Sequence, residues 1–406
     1  MSLNSVEAVA PQKTEKRAGE VFLAFLKLGL TSFGGPVAHL GYFRAEFVER
    51  RAWLDEPAYA DLVALCQFLP GPSSSQVGIA IGLSRAGYLG ALAAWTGFTT
   101  PSAILLLLFG FGIGRLGDAA GSSSLHGLKI AAVAVVALAV LQMARSLAPD
   151  RSRATLAVAA TALALLLPTT LGQLGAIALG AAIGLALLRD GRTSEKGRLP
   201  LVVGRGVALA SLFLFFALLI GLPFFASATA SQAVRLFDAF YRAGSLVFGG
   251  GHVVLPLLQA QVVPPGWVSN DVFLAGYGAA QAVPGPLFTF SAYLGAVMGP
   301  QPNELAGALI ALLAIFLPSF LLVIGILPFW ENLRRQPAAE AALKGVNAAV
   351  VGILLAAFYN PVFTAAITRP EAFALAVTDF LLLFMWQTPP WLVVLLSAAG
   401  GALLSI

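Results

Sequence analysis

The chain has 406 residues, 58% of them hydrophobic and only 11% charged, with a mean hydropathy of +0.87. Soluble globular chains carry about a quarter charged residues, so an ordinary soluble domain is excluded, and the length leaves room for roughly ten membrane segments of about 20 residues. The net charge of +5 sits mostly in short loops, where it reads as an orientation signal and not as a nucleic-acid footprint.

The N-terminus, Met1 to Glu20, is polar, carries Lys13, Lys16 and Arg17, and meets the first apolar stretch without a small-residue cleavage site. It is expected to be a cytoplasmic tail. Two interrupted apolar segments follow, 22–43 broken by Gly34-Gly35-Pro36 and 58–84 broken by Pro70-Gly71-Pro72. Spans are expected near 87–114, 127–147, 154–168, 171–188 and 206–226, with a basic stretch at 189–205 before the last of them. Two further interrupted segments, 236–262 and 272–297, precede spans near 304–328, 345–367, 371–386 and 390–405.

Few residues here could carry catalysis. The single cysteine, Cys66, rules out an internal disulfide and a cysteine metal cluster. His39, His126 and His252 lack ligand spacing, and neither a phosphate-binding loop nor a Ser/His/Asp arrangement is present. No enzyme activity, ATP-driven pumping, metal or cofactor is expected.

The chain repeats itself. FLKLGLTSFGG, from Phe25 to Gly35, matches FYRAGSLVFGG, from Phe240 to Gly250, pairing Lys27 with Arg242 and Gly29 with Gly244. Trp53-Leu54-Asp55 meets Trp267-Val268-Ser269, and ALCQFLPGPSSSQ (Ala64 to Gln76) meets GAAQAVPGPLFTF (Gly278 to Phe290). Pro101-Ser102 then meets Pro318-Ser319. Internal duplication is the usual architecture of secondary transporters. The expected organisation is a tail (1–20), a first repeat (21–188), a basic linker with a connecting transmembrane helix (189–232) and a second repeat (233–406).

Loop charge orients the copies. Basic residues collect in the tail, at Arg44, Arg50 and Arg51, at Arg151 and Arg153, at 189–205, and at Arg334, Arg335 and Lys344. The positive-inside rule places these in the cytoplasm. The loop PPGWVSND (Pro264 to Asp271), counterpart of the Arg44–Arg51 loop, has no Lys or Arg, so the repeats are expected to be inverted. If the four interrupted segments re-enter, Arg44, Arg50, Arg51 and Arg85 share one face, with Arg115, Arg235 and Arg369 as exceptions on the other. The competing arrangement has every segment crossing, about thirteen spans. The expected fold is an all-α polytopic membrane protein of two inverted homologous repeats, each with broken or re-entrant helices followed by transmembrane helices.

Broken helices leave backbone N–H and C=O groups that hydrocarbon cannot satisfy, so such breaks persist only against protein or a wet cavity. PGPSSSQ reads as a loop and a helix start near Pro72, an end that favours anions. Ser73, Ser74, Ser75 and Gln76 add neutral donors, and Gly34, Gly35, Gly249 and Gly250 permit close approach of a ligand to backbone. Lys27 and Arg242 each sit in an apolar segment beside a break. They are either site residues or side chains that snorkel to the headgroups.

The second repeat contributes Gly285, Thr289 and Gln281, against Gly71 and Gln67 in the first. The glutamines could meet ligand or satisfy broken backbone, and both readings stand. His39 and His252 are read as packing or capping residues against a proton relay, Cys66 as a packing residue, Asp61 as a structural hydrogen bond against proton coupling, and Lys129 and Lys344 as headgroup anchors. The ligand expected on these grounds is a small anion.

At SFGGP (Ser32 to Pro36), WLDE (Trp53 to Glu56), ALCQFLPGPSSSQ, FGGGHVVLPLL (Phe248 to Leu258) and AQAVPGPLFTFSAYLG (Ala280 to Gly295) the sequence resembles the chromate ion transporter family in its long, two-domain form. The resemblance implies efflux of the oxyanion chromate across the bacterial inner membrane, with sulfate as a chemically similar competitor. The residues by themselves reach only an anion transporter. Two rival classes are a cation-coupled importer of sulfate or another oxyanion and a non-transporting membrane scaffold. The expected partners are the oxyanion and the lipid bilayer, with no nucleic acid; a homodimer is left open.

Overall fold

A computed structural model describes residues 14–113, 120–188 and 203–404. The first half holds α1 (Thr14–Thr31), α2 (Gly35–Arg44), α3 (Glu56–Phe68), α4 (Ser73–Ile113, kinked at Ala86 and Gly87), α5 (Ala120–Leu147), α6 (Arg151–Leu166) and α7 (Thr170–Leu187). After α8 (Arg205–Ala228) the second half holds α9 (Gln232–Ser245), α10 (Val254–Val262), α11 (Asn270–Ala280), α12 (Phe290–Val297), α13 (Glu304–Ile326), α14 (Pro337–Ala357), α15 (Pro370–Phe384) and α16 (Pro390–Leu404). No strand occurs among the described residues. The first part of the tail, Arg115 and most of the linker expected at 189–205 lie outside them.

Five described helices are long and apolar enough to cross a membrane: Ser73–Gly112, Ser123–Leu147, Arg205–Ala228, Glu304–Leu333 and Pro337–Ala366. The pairs α6–α7 and α15–α16, of 15 to 18 residues each, extend about 22–27 Å, the lower end of what spans a hydrocarbon core.

The interrupted segments double back. Phe25 of α1 stacks on Phe47 beyond α2, with ring centroids 4.8 Å apart, and Lys27 Nζ lies 3.7 Å from Glu46. In the second half Arg242 of α9 reaches Gln261 of α10 at 3.3 Å. The Tyr293 hydroxyl of α12 donates to the Val272 carbonyl of α11 at 2.9 Å, and Arg85 returns to Glu20 at 3.1 Å. Each break is therefore the tip of a hairpin and not part of a crossing helix, and the arrangement with every segment crossing is not the one adopted. Arg44, Arg50, Arg51 and Arg85 consequently share one face, here the Arg51 face.

Direction follows from two sets of contacts. A Cβ on Gly285 would meet Ser102 Oγ and the Phe98 carbonyl, while Gly110 faces Tyr293 and Val297, so the segment leading through α12 runs parallel to the second arm of α4. The α12–α13 hairpin is closed where Gly295 meets the Gly307 carbonyl, so α13 runs antiparallel to that arm. In agreement, Trp330 and Arg334, just past α13, bond Asp61 near the start of α3 at 3.1 and 2.7 Å. The halves are inverted. Their packing corresponds residue by residue: Gly29 sits against the Phe98 carbonyl, and Gly244 against that of Ile315.

The halves also interleave. α6 and α7 pack on α14, and α15 and α16 on α5. Gly184 meets Gly345 at the α7–α14 crossing and Gly401 meets Gly127 at α16–α5, the close backbone approach that holds helices together where lipid gives no hydrophobic advantage.

Candidate functional site

The four breaks meet at the centre of the molecule. The Gly71 N–H donates to the Val247 carbonyl at 2.7 Å, and the Gly285 N–H donates to the Ser32 carbonyl at 2.9 Å. Each Pro-Gly-Pro glycine thus satisfies the residue just before the Phe-Gly-Gly break of the other half. Both glycines have positive φ, 122° at Gly71 and 94° at Gly285, a region costly for residues with a Cβ. A Cβ on Gly251 would stand 3.2 Å from Cγ of Pro36, so the two Gly-Gly breaks touch as well. The carbonyls freed by broken helices are met inside protein, as membrane depth requires.

Beside this junction lies a cavity of about 120 Å³, ample where about 10–15 Å³ holds one water. Gly34, Gly35 and Pro36 line it from one half, and His252, Gln281, Gly285 and Leu287 from the other, with α5 (Val135 to Gln142), Leu383 and Pro390 closing it. It runs from the breaks toward the ends of α15 and α16 on the Arg51 face. A second cavity, about 160 Å³, lies on the opposite face between α6, α7, α10 and α14. Leu138 and Gln142 line the first; Ala356 and Asn360, which follow Gly345 of α14 at the same spacing as these follow Gly127 of α5, line the second, so the cavities occupy related places.

Of the residues singled out by sequence, Gly34, Gly35, Gln281 and Gly285 line the first cavity. Ser74 and Ser75 are buried at the start of α4, with Ser73 half-buried, and His39 Nδ1 stands 3.3 Å from Ser74 Oγ. Gln76 donates from Nε2 to the Pro70 carbonyl at 2.6 Å, tying the break to the helix it opens. Thr289 is buried and its hydroxyl donates to the Pro286 carbonyl at 2.7 Å. Gly249 and Gly250 lie against Met143 of α5. Gln67, unlike its counterpart Gln281, is exposed.

Lys27 and Arg242 do not line either cavity. Lys27 is 56% exposed, beside a Glu46 that also holds Arg50 and Arg51. Arg242 is bidentate to Asp238 at 2.9 and 2.6 Å. Around Glu46 and Glu20, four cations (Lys27, Arg50, Arg51, Arg85) face two carboxylates, and beside them Arg44 faces Glu49 and Glu56, which leaves a surplus of one positive charge.

Ser75 and Gln281, which the sequence singled out, share an unpaired state with polar groups it passed over, Ser32, Thr99 and Ser319 among them. Oγ of Ser32, Ser75, Ser291 and Ser319, Nε2 of His39 and of Gln281, and Thr99 Oγ1 are buried without a hydrogen-bond partner. Ser102 and Ser319 were visible only as markers of the duplication, although each packs on the Pro-Gly-Pro glycine of the other half. Buried polar atoms are nearly always paired, so a group of unpaired ones at one junction points to a polar ligand or water. No cluster of metal-ligating side chains occurs among the described residues.

Known proteins point the same way. The family described as chromate transporter matches residues 19–185 and 234–402, once in each half. A chromate transport protein of Pseudomonas aeruginosa is 28% identical over 98% of this chain and 94% of its own length. One of Cupriavidus metallidurans is 26% identical over 95% and 92%, and a probable chromate transport protein of Synechococcus elongatus is 27% identical over 82% and 81%. No solved structure matches.

Proposed function

The chain belongs to the chromate transporter family, and from that premise we propose a secondary transporter that exports chromate across the bacterial inner membrane, driven by the membrane potential, by alternating access between its inverted repeats. The observation that carries this reading is the reciprocal bonding of the breaks, Gly71 to Val247 and Gly285 to Ser32. A junction built equally from two inverted halves is where such transporters place their substrate.

The positive-inside rule assigns the Arg51 face, and with it the N-terminus, to the cytoplasm. The cavity at the breaks then opens inward and the related cavity outward. Surplus positive charge around Glu46 draws anions to the cytoplasmic mouth, a role for Lys27 that does not require it to touch bound anion. Within the site, backbone N–H groups at the breaks, the hydroxyls of Ser73, Ser74 and Ser75, and Gln281 replace the water around the oxyanion. Arg242, held by Asp238, sets the arms of the second Gly-Gly hairpin and balances charge nearby.

Energetics permit export without ATP. A dianion leaving a negative-inside cell gains about 4.6 kcal/mol per 100 mV, two charges at about 2.3 each, enough for an outward gradient of about three decades. Inverted membrane vesicles provide the test. An imposed inside-positive potential should drive chromate uptake, in proportion to its size and without ATP. Flux that follows only an imposed proton gradient would favour a coupled oxyanion importer, and vesicles that match protein-free controls would remove the transport reading.

A further inference from the structure

Asp379 lies in α15, nine residues beyond Pro370, about 13 Å along the helix axis from its start. It is 1% exposed, no ion pair reaches it among the described residues, and its Oδ2 has no hydrogen-bond partner. Its carboxyl stands against the Ser397 hydroxyl of α16. That hydroxyl donates to the Gly127 carbonyl at 2.9 Å, and its one hydrogen cannot serve the carbonyl and the carboxyl at once. An ionised Asp379 would be buried at membrane depth without a counter-charge, a costly arrangement that a proton on its carboxyl removes.

Leu383, one turn farther along α15, lines the cavity at the breaks, and residues four apart share a helix face. Asp379 thus lies one helical turn from the cavity lining, on the same face of α15. The charged and titratable groups on neighbouring elements are engaged elsewhere. On α5, Lys129 pairs with Asp271 at 2.9 Å, His126 bonds the Ala366 backbone, and Arg145 lies over the Phe384 ring. α16 has no titratable side chain. Earlier in the chain, Tyr359 and, in the first turn of α15, Glu371 are exposed, and Arg369 precedes α15.

We propose that Asp379 is a proton-binding site linked to the anion cavity, its protonation favouring the bound anion; a proton that left the cell with the dianion would halve the charge moved and with it the drive from the potential. The inference rests on the oxyanion reading of that cavity. The step is a simple ionisation: the O–H bond breaks, the proton passes to cavity water, and the pair of electrons stays on the carboxylate. The negative charge left one turn from the anion repels it, so proton and anion stabilise each other's binding. By linkage the effect is reciprocal: anion binding raises the site's affinity for a proton by the factor that protonation raises its affinity for the anion.

Chromate binding to purified protein in nanodiscs, measured by equilibrium dialysis across pH, tests this. The wild type should lose affinity as pH rises, by up to about tenfold per unit for one linked proton. Asp379→Asn keeps a donor for Ser397 but cannot ionise, and its affinity should stay at the low-pH wild-type level; comparing the two at each pH cancels chromate's own protonation. Without any variant, chromate added to weakly buffered wild-type protein at a pH where the empty site has released its proton should draw protons from the medium. Matching pH profiles for the two proteins, or no proton uptake at any pH, overturns the proposal. A wild type that binds no chromate at all overturns the oxyanion reading beneath it, a result distinct from both.

Discussion

Ser73 and Ser74 open a helix beside the first Pro-Gly-Pro break, whereas Thr289 in the second already donates its hydrogen to Pro286. Replacing both serines with Ala should therefore lower chromate flux several-fold, and Thr289→Ala much less, at equal protein abundance. Equal effects in a vesicle assay would contradict the asymmetry. Lys27→Gln should slow uptake at low salt and lose its effect at high salt, because a steering charge is screened over about 10 Å at 0.1 M; a salt-independent loss would place Lys27 at the anion instead. Some of this was legible in the sequence. Gly-Gly and Pro-Gly-Pro marked the breaks, because only special backbone tolerates them at that depth. Asp379 was not, since one acid in an apolar stretch scarcely alters its hydropathy and only burial shows that it lacks a counter-charge. The duplication also overstated likeness: Gln67 and Gln281 share a motif, yet one is exposed and the other faces the cavity.

At the level of elements, the positions of the breaks followed from sequence, while their re-entry and the pairing of helices did not. Loop charge favoured re-entry, because a crossing segment would have moved Arg44, Arg50 and Arg51 to the other face from Arg85, yet it left crossing open. That α6 and α7 lie on α14, and α15 and α16 on α5, is invisible to hydropathy, since apolar helices all look alike to lipid and are matched by shape. Glycine pairs carry the match. A Cβ on Gly345 would lie 2.0 Å from the Gly180 carbonyl oxygen, so Gly345→Leu should force the helices apart and lower stability by about 1–3 kcal/mol, read as a drop in the melting temperature of the detergent-solubilised protein. The α5–α6 turn offers a milder probe. Asp150 caps α6, accepting from the Arg153 N–H at 2.9 Å, and that bond, with the Arg153 guanidinium, holds its carboxyl below the usual range. A depressed carboxylate stabilises the fold above its unfolded pKa, and the contribution fades as pH falls through the folded value. Asp150→Ala should cost about 1 kcal/mol at neutral pH, with the gap from wild type closing in acid.

For the whole molecule, inverted halves that swap their peripheral helices around a shared junction explain how two related cavities can lie on opposite faces. Rocking the halves would open one as the other closes, sliding the breaks of one half past those of the other at the centre. The contact between Pro36 and Gly251 lies at that centre, and a bond placed there should stop the motion. The decisive measurement is chromate flux in proteoliposomes under an imposed potential, before and after oxidation of a Cys66→Ser chain carrying Pro36→Cys and Gly251→Cys. The account predicts that the disulfide forms, that flux falls to the protein-free level, and that reduction restores it. Failure of the pair to link in an otherwise transporting protein, or full flux through the linked one, would contradict it.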